Sequence, residues 1–234
     1  MLKEFIEKII DLKKPEQIDV DGKIYYDKNY HPVYEEFPNH LGINNLTGIV
    51  DFIKENPEKW KNLFVHIEDF NCVNLYKGLS GGFNQRTLVL VGKSRDCKFN
   101  FGNYLSIENF IISLNSMFIP TKDRDHILQF ISGIRVDSTA KLEDDGVTQT
   151  ITAKKGASSL LSDMPVKNIV ELIPFRSFNE IDQPVSEFVF RLKLDHETPY
   201  CALFECDGEA WKQSVIQSIG KYFWGQEIGI PVIA

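Results

Sequence analysis

The sequence predicts an α+β fold: mainly antiparallel sheet with a helical pair, an extended β-hairpin arm and a C-terminal helix. Three observations predict it. Runs alternating between apolar and polar residues cluster at 63–93 and again at 170–206, as half-buried strands do. Apolar residues at helical spacing follow each cluster. Strands therefore come in groups followed by helices, which favours α+β over a regular βαβ chain.

From the N-terminus, Phe5, Ile6, Ile9, Ile10 and Leu12 make an amphipathic helix that Lys14-Pro15 ends. Residues 18–26 read as a hairpin around Asp21-Gly22. Two prolines make 30–39 extended or irregular. Asn45 is placed to cap a helix with Leu46, Ile49, Val50 and Ile53 on one face, and Pro57 follows it. Residues 63–67 and 72–76 are strands around a short turn, 79–84 is a loop with two glycines, and 86–93 is the next strand. Ser106 caps a helix containing Ile107, Phe110, Ile111, Leu114 and Phe118, which Pro120 closes. Thr121 starts a second helix that buries Ile127, Leu128, Ile131 and Ile134, expected antiparallel to the first.

Residues 135–156 carry the hairpin signal. Two alternating runs flank Asp144-Asp145-Gly146, where Gly accepts the positive φ of a tight turn. Val136, Ala140 and Leu142 share one face of the first run, and Val147, Ile151 and Ala153 one face of the second. Both faces are weakly apolar, so the ribbon is expected to be an arm, an edge or an oligomer contact. A Ser-rich connector covers 156–166, and strands are expected at 170–175, 187–193 and 200–206. Asp207-Gly208 opens a last helix with Trp211, Val215, Ile219 and Tyr222 on one stripe, and Gly225 ends it. The apolar tail 228–234 is suited to an extended strand. The expected organisation is an N-terminal α+β region at 1–134, the arm at 135–156, and strands with a helix at 157–234 that join the N-terminal region in one domain.

The 234 residues are 43% hydrophobic and 25% charged, as in an ordinary globular protein. The net charge of -7 argues against non-specific nucleic-acid binding, which depends on Lys and Arg neutralising phosphate. The apolar runs fall short of the ~20 residues that span a bilayer. The first 14 residues are amphipathic, with three acids and no cleavage site, so a cytoplasmic chain is expected. Cys72, Cys97, Cys201 and Cys206 form no CxxC pair and fit reduced thiols without metal.

No pair among the five histidines has helical metal-site spacing. His66 and Glu68 share a strand face, as an acid–base or metal pair would, or as a polar solvent-facing edge would. Ser80-Gly81-Gly82 lacks the P-loop spacing and leads into a strand, so a turn explains it. Asp144 and Asp145 lack a calcium-loop pattern and read as a turn. Asp182, Glu187 and Glu205 are dispersed acids. No catalytic residue, metal ligand or cofactor is assigned, and the chain leans away from enzymes. Lys154-Lys155 ends the arm in a basic spot, and Arg176 and Arg191 lie on expected strands. The candidate ligand-binding set is Arg86, Lys154, Lys155 and Arg176 as anion donors, with Tyr104 and Phe178 for stacking.

The landmark phrases are Leu46-Thr47-Gly48-Ile49-Val50, Glu108-Asn109-Phe110-Ile111-Ile112 and Asp144-Asp145-Gly146-Val147-Thr148-Gln149. Arg176-Ser177-Phe178 and Ala202-Leu203-Phe204-Glu205-Cys206-Asp207-Gly208 complete the set. With them the chain resembles a group of phage and prophage proteins from Gram-positive bacteria. In element order it is loosely similar to the YfdQ-like prophage proteins of unknown function. The resemblance implies a phage-borne protein acting in the host bacterial cytoplasm. The expected function is an oligomeric binding protein of counter-defence that sequesters a nucleotide signal or a host component. The alternatives are a metal-dependent phosphodiesterase or nuclease built on His66 and Glu68, and an inhibitor or adaptor of a protein partner in phage recombination.

Overall fold

The computed structural model describes residues 2–13, 17–20, 23–26, 39–80, 85–95, 99–134, 140–144, 149–153, 168–195 and 198–234. The chain divides into two compact units, Met1–Pro38 and Asn39–Ala234. In the first, helix α1 (Leu2–Lys13) precedes strands β1 (Gln17–Val20) and β2 (Lys23–Tyr26). The strands pair antiparallel, with Val20 opposite Lys23, and so frame the expected Asp21-Gly22 hairpin.

The second unit opens with β3 (Leu41–Ile43), α2 (Leu46–Glu55), β4 (Leu63–Asp69), β5 (Cys72–Ser80) and β6 (Gln85–Lys93). Next come β7 (Leu105–Ser106), α3 (Ile107–Met117), α4 (Lys122–Ile134), β8 (Ala140–Asp144) and β9 (Gln149–Ala153). It ends with β10 (Ile169–Leu172), β11 (Ser186–Asp195), β12 (Thr198–Glu205), α5 (Ala210–Gly225) and β13 (Val232–Ile233). Pairing is mostly antiparallel, and helices and strands are present in similar measure: the fold is α+β.

Among the described residues this unit has two larger sheets. One runs β13-β4-β5-β6-β3. Its centre is the antiparallel meander β4-β5-β6, and the short strands β13 and β3 pair parallel to β4 and β6 at its two edges. Short edge strands offer little backbone for pairing with another chain. The other sheet runs β10-β11-β12-β7, antiparallel throughout. Its β10 edge is met by side chain and loop: the Glu171 amide donates to Asp123 Oδ2 on α4 at 3.0 Å, and the Ile119 amide donates to the Ile173 carbonyl.

Each larger sheet buries one face. In β4, Leu63, Val65 and Ile67 are buried while Phe64 and His66 are half-buried, the period of two that a strand imposes. That inner face packs against Leu46, Ile49, Val50 and Ile53 of α2 and Trp211, Val215, Ile219 and Phe223 of α5. Helix α2 starts as expected, with Asn45 Oδ1 accepting from the Gly48 amide at 2.7 Å. It lies close to the sheet: a Cβ on Gly92 would come within 2.7 Å of Ile49 Cδ1, so only glycine fits that contact without movement. The four-stranded sheet packs Val170, Leu172, Phe188, Phe190 and Leu203 against Phe110 and Leu114 of α3 and Ile127 and Ile131 of α4. Ser106 Oγ accepts from the Asn109 amide as the expected cap of α3, and at the start of α4 Thr121 Oγ1 accepts from the Arg124 amide. The side chain of Ile134 lies outside the described residues, and Leu128 is half-buried. Strands β8 and β9 pair with each other, Ala140 opposite Ala153 and Asp144 opposite Gln149, and among the described residues with no other strand.

The segment 174–186 ties the two layers together. Arg176 is 5% exposed and its guanidinium lies 4.3 Å from the Trp211 ring centroid, 4.8 Å from Phe101 and 5.1 Å from Phe188. Its Nη2 reaches Glu205 Oε1 at 2.6 Å. The side chain of Gln183 accepts from the Arg176 and Ser177 amides and donates to the Phe178 carbonyl. Ser177 Oγ donates to the Phe70 carbonyl in the turn between β4 and β5.

Candidate functional site

The outer face of the five-stranded sheet carries the site. The alternation that buries Leu63 and Val65 turns Phe64 and His66 outward. Register then aligns them with neighbours: Phe64 faces Tyr76, Tyr76 faces Leu88, His66 faces Asn74, and Ile233 of β13 faces His66. The Phe64 and Tyr76 rings stack at 5.6 Å between centroids and 20° between planes, and His66 tilts against Tyr76 at 6.2 Å. Arg86 of β6 places its guanidinium 5.6 Å from the Phe64 centroid. These residues line a cavity of about 770 Å³ with Asn62, Leu63, Pro231 and Ile233. Among the described residues no carboxylate lines it, and the ionisable groups there are Arg86, His66 and the Tyr76 phenol. Such a lining favours an anion with an aromatic or apolar body.

Beyond His66 the same face becomes polar. Glu68 Oε2 accepts from Asn74 Nδ2 at 2.6 Å and from Cys72 Sγ at 3.3 Å. These two hydrogen bonds, Asn74 first, hold the Glu68 carboxyl below the usual carboxylate range. Burial, then the Glu68 carboxylate, pushes the Cys72 thiol up to about 11. The expected His66 and Glu68 pair does share this face, but the Glu68 carboxylate is engaged by Asn74 and Cys72. Among the described residues, no three His, Cys, Asp or Glu side chains gather as metal ligands would.

The other candidates are dispersed. Of the four candidates among the described residues, Arg86 alone lines the large cavity. Tyr104 is exposed, edge-on to Phe204 at 6.2 Å, with the Lys193 ammonium 5.9 Å from its ring. Arg176 is the buried tie between the two layers, not a cavity donor. Phe178 is 1% exposed and spends its ring on the core under the five-stranded sheet, with an edge on a second, smaller cavity. Lys154 and Lys155 lie outside the described residues. Arg191 is half-buried, and its Nη1 has no hydrogen-bond partner. Sequence reasoning missed Phe64 and Tyr76 as the ring pair and β13 as a wall. The available signal was the meander, since consecutive short-linked strands usually pair and so bring Phe64, Tyr76 and Arg86 onto one face.

The class defined here is an α+β chain with a cavity on a sheet face, lined among the described residues by aromatic rings and an arginine. Comparison with family models, with curated proteins and with solved structures gives no match. No helix of the described residues is long and apolar enough to cross a membrane.

Proposed function

We propose that this chain is a binding protein whose ligand is a phosphorylated aromatic molecule of the nucleotide class. The observation that carries the reading is Arg86 beside the stacked Phe64 and Tyr76 rings in a cavity with no carboxylate among its described lining residues. A phosphate would face the Arg86 guanidinium through charge-assisted hydrogen bonds, and a base would lie along the rings. The cavity, at about 770 Å³, falls within the ~300–1,000 Å³ typical of small-ligand sites. In the phage setting implied by the landmark phrases, such a protein would act in the host cytoplasm and sequester a nucleotide signal of host defence.

Calorimetry and thermal shift with a panel of cyclic nucleotides test this. One member should bind with Kd below ~100 µM, and Arg86→Ala should weaken it about tenfold. Absence of binding by any member at ~1 mM would remove the reading. Turnover of a bound nucleotide dependent on Mg²⁺ or Mn²⁺, and lost in His66→Ala, would instead make the protein a phosphodiesterase acting from the same face.

A further inference from the structure

Helix α1 (Leu2–Lys13) turns an apolar stripe to solvent. Leu2, Phe5, Ile6 and Ile9 recur at i, i+3, i+4 and i+7, the spacing of one helix face. They are 76, 63, 48 and 42% exposed, so the stripe is an outward patch and not a core face. We infer that this stripe docks α1 flat on an anionic lipid surface, with Lys3 and Lys8 reaching the headgroup phosphates.

The placement of charge around the stripe carries the inference. At about 100° of rotation per residue, Lys3 and Lys8 fall about 110° to either side of the stripe's centre, and Glu4, Glu7 and Asp11 fall about 150° to 170° from it. Both borders of the stripe are therefore cationic, and the carboxylates occupy the opposite pole. All five charged side chains are exposed. A lysine at such a border lays its methylene stem along the apolar side and lifts its ammonium to the level of the phosphates. The carboxylates at the far pole stay in water, away from headgroups of like charge. Residues 1–14 hold four lysines against three acids, a positive balance in a chain whose net charge is -7.

A second copy of the helix fits the stripe less well than lipid does. Whether the twin ran parallel or antiparallel, cationic border would meet cationic border, with no carboxylate on either to pair across the seam. A lipid surface offers phosphate to both borders at once. The helix has 12 residues and is about 18 Å long, so it lies in the interface and does not span the ~30 Å hydrocarbon core. Helices with one apolar face and lysines on the polar side bind anionic bilayers in this way. The inference does not depend on what fills the large cavity, whose described lining residues include none of this helix.

Flotation of the full chain with vesicles of phosphatidylglycerol and phosphatidylcholine, against phosphatidylcholine alone, tests the inference. Wild type should float with the anionic vesicles and partition about tenfold less to the neutral ones. Phe5→Asp should weaken the anionic binding about tenfold or more, and Ile9→Asp, a turn further along the same stripe, should do the same. Lys3→Gln and Lys8→Gln combined should weaken it about tenfold. Arg86→Ala should leave it unchanged. All these helix positions are exposed, and equal thermal midpoints show that the variants fold. No flotation with the anionic vesicles would overturn the inference. So would flotation that survives Phe5→Asp and Ile9→Asp, or that Arg86→Ala abolishes, since other residues would then meet the lipid. A smaller species for Phe5→Asp than for wild type, read by light scattering without lipid, would also overturn it, because a second copy of the chain would then cover the stripe.

Discussion

Burial separates the cysteines of this chain. Cys201 sits in the core of the four-stranded sheet, where burial alone pushes its thiol up to about 12. Burial and the Glu68 carboxylate raise Cys72 to about 11. Cys206 is exposed, and Cys97 lies outside the described residues. Thiolate, not thiol, is the nucleophile, so Cys206 should react ahead of Cys72, and Cys201 last. Thiol titration of native protein, followed by mass spectrometry of labelled peptides, checks the order. The denatured chain should yield four thiols and no zinc. The same shifts have a stability consequence. A thiol whose folded value is raised stays protonated in the native state after the unfolded chain has begun to ionise. The contribution is therefore fully present below the unfolded value near 9.0 and is lost as pH rises through about 11 to 12. Urea midpoints should fall between ~pH 8 and ~pH 10.5, less steeply in Cys72→Ala than in wild type. Equal slopes would mean that Cys72 carries none of the effect.

At the scale of elements, α5 shows how a stripe becomes a core. Trp211, Val215, Ile219 and Phe223 recur every four residues and are buried, while Tyr222 is half-buried with its hydroxyl 3.3 Å from Thr47 Oγ1. Trp211 also takes Phe70 edge-on at 4.8 Å and lies under Arg176 at 4.3 Å. Trp211→Ala should therefore cost about 3 kcal/mol, which chemical denaturation measures; a loss below about 1 kcal/mol would make the helix peripheral. The position of this helix was legible because helical periodicity is local. The caps at Asn45 and Ser106 were legible for the same reason, each needing only a side chain and an amide three residues on. Long-range pairing was not. Nothing near Val232 says that it will lie beside Val65, some 170 residues earlier, rather than against any other strand. Arg176 shows the same limit at the site. A cation on an alternating run reads as a ligand donor, and only the fold reveals that Trp211, Phe101 and Phe188 close around it. Arg86 was legible as a donor, but its rings lie on two other strands, so the sequence alone paired it with Tyr104 and Phe178 instead of Phe64 and Tyr76.

For the whole molecule, the open question is how the hairpin β8–β9 is satisfied. Its two strands pair with each other and with no other strand among the described residues, so each has an edge that no described strand covers. A two-stranded ribbon is marginal by itself in water, and open edges recruit further strands. The commonest source of a matching edge is a second copy of the same chain, through a two-fold axis that places each ribbon against its twin. We propose that the arm makes such a contact. Backbone pairing and apolar burial must supply the energy, because an exposed pairing of Asp144-Asp145 with Lys154-Lys155 across the axis would add only about 0–1 kcal/mol per pair. Two consequences separate this from a solvated arm. Deleting residues 142–148 removes Leu142–Asp144 of β8, the partners of Gln149–Ile151 in β9, and should convert the protein to smaller species, whereas Lys154→Ala should leave the assembly as it was. Light scattering coupled to size exclusion at ~50 µM reads both, at one protein concentration for all variants because assembly depends on it. A wild-type monomer at that concentration, or an oligomer that persists after the deletion, would sink the idea.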